Sequence, residues 1–294
     1  MLYRRKILLA LIQLFQGRLE KIRLQKLLFL SVQKQIKPEF DFIPYKYGCY
    51  SYSASADLAA MVRNGQLSDD TSHFTKKDKV DYLNQLRESD KNLVCEVRAL
   101  YGNFSSDELM KYTYLKFPFY AINSKKATEL LTTKELRKVE ASRPASDSTI
   151  LFTIGYEGIS LEGYLTLLLQ YDVKLLVDVR NNPLSMKFGF SKSQLKKYCE
   201  SLGIKYIHFP EVGIQSDRRQ ELNSQADYDR LFSYYKKENL PKTKSTQIEI
   251  LNLLKENKRI ALTCFEADIC QCHRTHLAES IAKLKGFEYE IKHI

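Results

Sequence analysis

Residues 259–274 read Arg-Ile-Ala-Leu-Thr-Cys-Phe-Glu-Ala-Asp-Ile-Cys-Gln-Cys-His-Arg. The apolar run 260–263 has the character of a buried strand, and it closes on Cys264, Glu266, Cys270, Cys272, His273 and Arg274. Two earlier runs end the same way, 174–177 on Asp178 and Arg180, and 204–207 on His208. Runs at 150–154 and 287–291 complete a set of five. Between them apolar residues recur at helical spacing: Leu161, Tyr164, Leu165 and Leu168; Leu195, Tyr198 and Leu202; Ile248, Leu251 and Leu254; Leu277, Ile281 and Leu284. Strands alternating with helices predict a parallel sheet covered on both faces, a Rossmann-like α/β domain over residues 150–294. The C-terminal ends of parallel strands converge on one crevice, so the polar residues ending these runs are expected to share a site.

The chain of 294 residues exceeds a typical single core, and its 44% hydrophobic content can fill two. A polar stretch over residues 140–149, Glu-Ala-Ser-Arg-Pro-Ala-Ser-Asp-Ser-Thr, has linker composition and separates a first domain, residues 1–139, from the α/β domain. No apolar run approaches the roughly 20 residues that span a bilayer, and residues 1–16 lack a small-residue cleavage site. Six cysteines form no regular framework. These features predict a cytoplasmic protein with no membrane partner.

Charge is unevenly placed. Residues 1–148 hold 25 Lys/Arg and 17 Asp/Glu, against 21 and 18 in residues 149–294. At the start, Arg4, Arg5, Lys6, Arg18, Lys21, Arg23, Lys26, Lys34 and Lys37 face only Glu20 in local sequence. Such a basic face attracts polyanions, and it makes Arg4, Arg5, Lys6, Lys21, Arg23 and Lys26 candidate nucleic-acid contacts; a solvated helix surface or a contact with an acidic protein is the alternative. Leu8, Leu11, Ile12 and Phe15 mark one helix; Leu24, Leu27, Leu28 and Val32 a second; residues 54–63 a third. Residues 40–52 alternate around Gly48 like a hairpin, and Ser105 with Glu108 forms a capping box. The first domain therefore reads as mainly helical and winged-helix-like.

Leu24-Gln-Lys-Leu-Leu-Phe29, Tyr47-Gly48 with Tyr50-Ser51, Asp57-Leu58, Gly65, Leu109 and Pro118 resemble the Panacea or SocA-like domain. That resemblance covers about residues 1–125 and implies a toxin–antitoxin or phage-defence setting. Thr153-Ile-Gly-Tyr-Glu-Gly158, Val177-Asp-Val-Arg180 followed by Pro183 and Ser185, Gly189-Phe-Ser-Lys192, Gly203-Ile-Lys-Tyr206 with His208, Cys264-x-Glu266, Cys272-His-Arg274 and Lys292-His-Ile294 are similar to the DUF488 family. The resemblance implies a fold and a site but no reaction. This chain has Tyr156 where many members have Gly-His, and Glu211-Val-Gly213 where a Leu-Gly-Gly turn is common.

Several chemistries suit these residues. Arg180 and Arg274 offer planar charged forks and Gly155, with Tyr156 beside it, a turn through which amides can approach an anion, such as a nucleotide. Asp178 orients, or pairs with Arg180 as buried scaffold. Glu266 and His273 are acid/base candidates, or His273 caps the last helix. Cys264 is placed like a nucleophile, yet Asp268 stands where a phosphatase Cys would precede Arg274 by six, and strand-end cysteines also serve packing. Cys264, Cys270, Cys272 and His273, with His276 as a further ligand, permit a metal, but the spacing is not that of paired zinc ligands, so no metal and no cofactor is expected. Residues Arg218, Arg219, Tyr228, Arg230, Phe232, Tyr234, Tyr235, Lys236 and Lys237 form a basic, aromatic segment that either stacks bases or packs as an amphipathic helix. The expected function is hydrolysis or transfer at a glycosidic or phosphate-linked bond of nucleic acid or a nucleotide; the alternatives are a non-enzymatic sensor or adaptor for nucleotide or protein, and a thiol-dependent enzyme using Cys264.

Overall fold

The computed structural model describes residues 1–215, 222 and 224–294, so Arg218 and Arg219 lie outside the described residues. The chain divides into two compact units, Met1–Arg143 and Pro144–Ile294. Among the described residues no helix is long and apolar enough to cross a membrane.

The first unit opens with α1 (Tyr3–Leu14), β1 (Arg18–Glu20), α2 (Lys21–Val32), the hairpin strands β2 (Ile43–Tyr45) and β3 (Gly48–Tyr50), α3 (Tyr52–Arg63), β4 (Leu67–Asp69) and β5 (His73–Lys76). Helices α4 (Glu88–Tyr101), α5 (Ser106–Lys116), α6 (Ala127–Leu130) and α7 (Thr133–Ala141) follow. Strands β1, β5 and β4 form an antiparallel sheet in that order. Apart from the inserted β2–β3 hairpin, helix, strand, helix, helix and hairpin succeed one another as in a winged helix. Apolar faces of α1 and α2 meet in a core that holds Leu8, Leu11, Leu24 and Leu28, and Phe29 packs edge-on against Phe42, Phe117 and Tyr120. The hairpin needs glycine at position 48: its φ is +88°, and a Cβ there would lie 2.4 Å from the Tyr114 ring. The capping box of Ser105 and Glu108 starts α5 as the sequence predicts.

Acidic residues from later in the chain reach the basic start, which local sequence could not reveal. Asp57 on α3 binds both Arg4 (2.5 Å) and Arg5 (2.7 Å), Asp70 binds Arg18, Asp69 binds Lys21 and Glu96 binds Lys34. Arg23 donates to the Gly102 carbonyl and covers the Phe15 ring. Lys6 is half-buried. Lys26 is buried, and its ammonium donates to the Cys49 carbonyl at 2.9 Å. The outward side of α3 carries Ser53, Ala56, Ala59, Ala60 and Arg63, a surface with one cation.

The second unit has β6 (Ile150–Gly155), α8 (Leu161–Gln170), β7 (Leu175–Asp178), α9 (Lys192–Ser201), β8 (Lys205–His208), α10 (Gln225–Tyr234), α11 (Lys244–Asn257), β9 (Arg259–Cys264), α12 (His273–Ala282) and β10 (Glu290–His293). All five strands are parallel and ordered β10-β6-β9-β7-β8. The sheet is Rossmann-like in its parallel strands and connecting helices, though its order is not the 3-2-1-4-5 of dinucleotide-binding folds. Central strands β7 and β9 are buried throughout, whereas edge strand β10 is exposed except at half-buried Ile291, which explains why its apolar run is the least regular. Because β9 enters between β6 and β7, Gly155 pairs with Cys264, and Asp178 with Thr263 and His208. The polar ends of three sequence-distant runs thereby meet at one edge.

Candidate functional site

At that edge a cavity of about 330 Å³ is lined by Tyr156, Arg180, Asn181, Asn182, Leu184, Ser185, Met186, Ile214, Cys264, Phe265 and His273. One wall is the loop between β7 and α9. It is closed by Ser191, whose hydroxyl donates to the Ser185 carbonyl (2.9 Å) and accepts from the Ser185 amide (3.2 Å). The opposite wall is the loop between β9 and α12. Phe265 O accepts from the Tyr156 and Glu157 amides, and the Glu157 carboxylate accepts from the Ala267 amide at 3.0 Å.

Gly155 is a packing requirement of that second loop. A Cβ on it would stand 1.9 Å from the Glu266 carbonyl oxygen, so only glycine lets the loop cross the end of β6. Its backbone approaches the protein's own chain rather than an open anion cradle. Arg274, also buried, holds the same loop: its guanidinium donates to the carbonyls of Glu266 and of Ala267, the latter at 3.1 Å.

Arg180 is likewise engaged internally. Its Nε and Nη2 donate to the two carboxylate oxygens of Asp178 at 2.9 and 2.5 Å, and Nη1 donates to the Tyr156 hydroxyl and the Phe190 carbonyl, both at 2.8 Å. Asp178 also accepts from the Tyr206 hydroxyl at 2.5 Å. Burial and the adjacent Asp178 carboxylate push the Tyr206 phenol well above its ordinary range. Tyr156 stacks on Phe190 with centroids 4.3 Å apart. A buried bidentate pair whose Nη1 is bonded twice more is a rigid strut, the arrangement that makes such charges tolerable away from water. His208 sits beside it, bonded to Arg180 O at 2.8 Å and accepting from Lys192 Nζ at 3.0 Å.

Cys264 and His273 have a different environment. Both are buried at the cavity. His273 Nε2 lies 3.0 Å from the Val179 carbonyl, which only accepts; Nε2 therefore carries a proton, and Nδ1 faces Cys264 Sγ at 3.6 Å. The thiol donates to Glu266 Oε2 at 3.1 Å. Cys272, the residue before α12, brings a second buried thiol; the sulfur atoms of Cys264 and Cys272 and a ring nitrogen of His273 lie within 4.8 Å of one another. Burial, and then the Cys264 thiol, raise the Cys272 pKa well above its usual value. Cys270 is exposed, and His276 faces Glu279 at 3.4 Å.

The sequence-derived candidates thus sort by what they touch. Cys264, Glu266 and His273 converge; Asp178, Arg180 and Tyr156 form the strut beside them; Gly155 and Arg274 shape the loop; and the N-terminal basic residues belong to the other unit. Sequence reasoning missed Val179, because the group that orients His273 is a backbone carbonyl. It also missed Tyr206 as a partner of Asp178 and the Asn181-Asn182 wall, although two amides directly after a strand end were a usable signal.

Residues 160–281, within the C-terminal unit, match the model of a family described as Domain of unknown function DUF488; the match covers no part of the N-terminal unit. No curated protein matches the chain.

Proposed function

We propose that the C-terminal unit is a thiol-dependent enzyme in which Cys264 is the nucleophile. The observation that carries this reading is the placement of Cys264 Sγ at the cavity, 3.6 Å from an imidazole nitrogen whose partner nitrogen is held by Val179 O. A nucleophile, a base and an orienting group in series is the general arrangement for activating a thiol. His273 takes the thiol proton and returns it to the leaving group, and Glu266, half-buried on the loop, activates the water that releases the product.

The cavity tells against a phosphate as the reacting group. Its polar lining comprises Tyr156, Arg180, Asn181, Asn182, Ser185 and His273, beside apolar Leu184, Met186 and Ile214, and the Arg180 and Arg274 guanidiniums are engaged by Asp178, Tyr156 and backbone carbonyls. A neutral carbon electrophile of nucleoside size, acyl or glycosidic, fits these walls better than a phosphoryl group, and Arg180 and Asp178 are assigned positioning parts. Nucleic acid as the macromolecular substrate rests on the basic start of the chain, and a toxin–antitoxin or phage-defence setting on the Panacea or SocA-like resemblance alone.

The test is acid quenching of turnover with a panel of nucleosides, nucleotides, DNA, RNA and activated acyl esters, followed by peptide mass spectrometry. A substrate-derived mass on the Cys264 peptide, absent in Cys264→Ala, is expected. Full turnover by Cys264→Ala would sink the proposal. Iodoacetamide should also modify Cys264 ahead of exposed Cys270.

A further inference from the structure

We propose that Cys264, Cys272 and His273 form a site for a soft divalent cation, zinc by its ligand set, and that the bound cation silences the Cys264 thiol. The binding half stands on geometry alone; the silencing half rests on Cys264 being the nucleophile.

Three ligand atoms from two rigid elements already converge. Cys264 ends β9, Cys272 precedes α12 and His273 begins it; all three are buried, with ligand atoms within 4.8 Å of one another. Tetrahedral zinc with sulfur at about 2.3 Å and nitrogen at about 2.05 Å has a sulfur-to-nitrogen edge of about 3.6 Å. The Cys264 Sγ to His273 Nδ1 distance is 3.6 Å. The sulfur-to-sulfur edge of the same tetrahedron is about 3.8 Å, within reach of a side-chain rotation. His273 also has the outer-sphere contact typical of a ligating imidazole, since its other N–H is bonded to Val179 O at 3.0 Å and Nδ1 points at the site.

Glu266 Oε2, 3.1 Å from Cys264 Sγ, lies outside this group of three, and the fourth position opens on the cavity, where water can fill it. Two sulfurs and one imidazole select zinc over magnesium or calcium. Loading releases two thiol protons to solvent and leaves two thiolates on the cation, so no oxidant or reductant is involved. The cation takes up the Cys264 electron pair that the proposed reaction would use. Cys270 and His276 stay outside this group, so Cys272 is the residue that turns a cysteine–histidine pair into a cation trap.

The experiment uses the full chain, stripped with a chelator and titrated with cobalt(II). Thiolate-to-cobalt charge transfer and the visible bands of a tetrahedral centre should saturate at one equivalent and vanish when zinc is added. Cys270→Ser should keep them. Cys272→Ser should weaken cobalt binding by more than the roughly 10–100-fold that loss of an outer-sphere contact costs. Zinc should shield Cys264 of the unsubstituted protein, but not Cys270, from iodoacetamide, a measurement that needs no variant to fold. Absence of the bands, or no shielding, overturns the site. Turnover separates the two halves: zinc should inhibit the parent protein and leave Cys272→Ser active and insensitive. An active Cys264→Ala would remove the nucleophile reading while the cobalt bands still judged the site.

Discussion

Replacing Asp178 by Asn tests whether Arg180 is a strut or a ligand clamp. The side chain keeps its size but loses its charge, leaving a guanidinium that is 5% exposed with no counter-charge at 2.5 Å. Removing one partner of a buried, hydrogen-bonded ion pair costs about 3–5 kcal/mol. Asn has one acceptor oxygen where Asp178 uses two, each bonded to Arg180, so one Arg180 donor also loses its partner, adding on the order of 1 kcal/mol. The sum, about 4–6 kcal/mol, approaches the whole stability of a typical domain, and at roughly 2–4 °C per kcal/mol it lowers the melting of the C-terminal unit by about 10 °C or more. Hydrogen exchange at the amides of β7 and β9 reads this unit separately from the other, with urea unfolding of the full chain as the second measure. The double replacement Asp178→Leu with Arg180→Met should restore most of the loss, because it removes both charges together. A cost below about 1 kcal/mol for Asp178→Asn, or a double variant as unstable as the single, would refute the strut. So would Arg180→Met that unfolds normally yet loses ligand affinity.

Gly155→Ala should displace the β9–α12 loop, since a Cβ 1.9 Å from Glu266 O has no room; the expected cost is about 1–3 kcal/mol. Iodoacetamide modification of Cys264 should slow or speed measurably with it, and an unchanged rate with unchanged stability would show that the loop passes elsewhere. In the N-terminal unit, burial pushes the Asp90 carboxyl up, but hydrogen bonds from Tyr3, Gln35 and Arg87 outweigh this and hold its pKa below the usual value. A lowered folded-state pKa contributes stability that is present above the unfolded value of about 3.9 and lost as pH falls through the folded one. Urea midpoints measured from pH 7 downward should therefore drop at the acid end, and Asp90→Asn should lower stability at pH 7 while flattening that acid limb.

Much of the architecture was legible because it repeats at short range. The runs at 150–154, 174–177, 204–207 and 259–263 became β6, β7, β8 and β9 within a residue or so of the predicted positions. The run at 287–291 slid to Glu290–His293, where exposure leaves the pattern weak. The capping box at Ser105 and the turn at Gly48 were equally local.

Partners were not legible. Arg180 and Arg274 have the side chains of anion clamps, but much of their hydrogen bonding goes to Phe190 O, Glu266 O and Ala267 O, backbone atoms that no residue name advertises. The basic start meets Asp57, Asp69, Asp70 and Glu96 only after the helices and strands pack. Composition and periodicity by themselves determined the parallel sheet and the edge at which its polar residues gather, since burial and backbone geometry act over a few residues. Tertiary structure alone decided which of those residues face the cavity, because strand order and register bring Cys264 to His273 and engage both arginines with the protein's own groups, and these depend on contacts between segments distant in the chain.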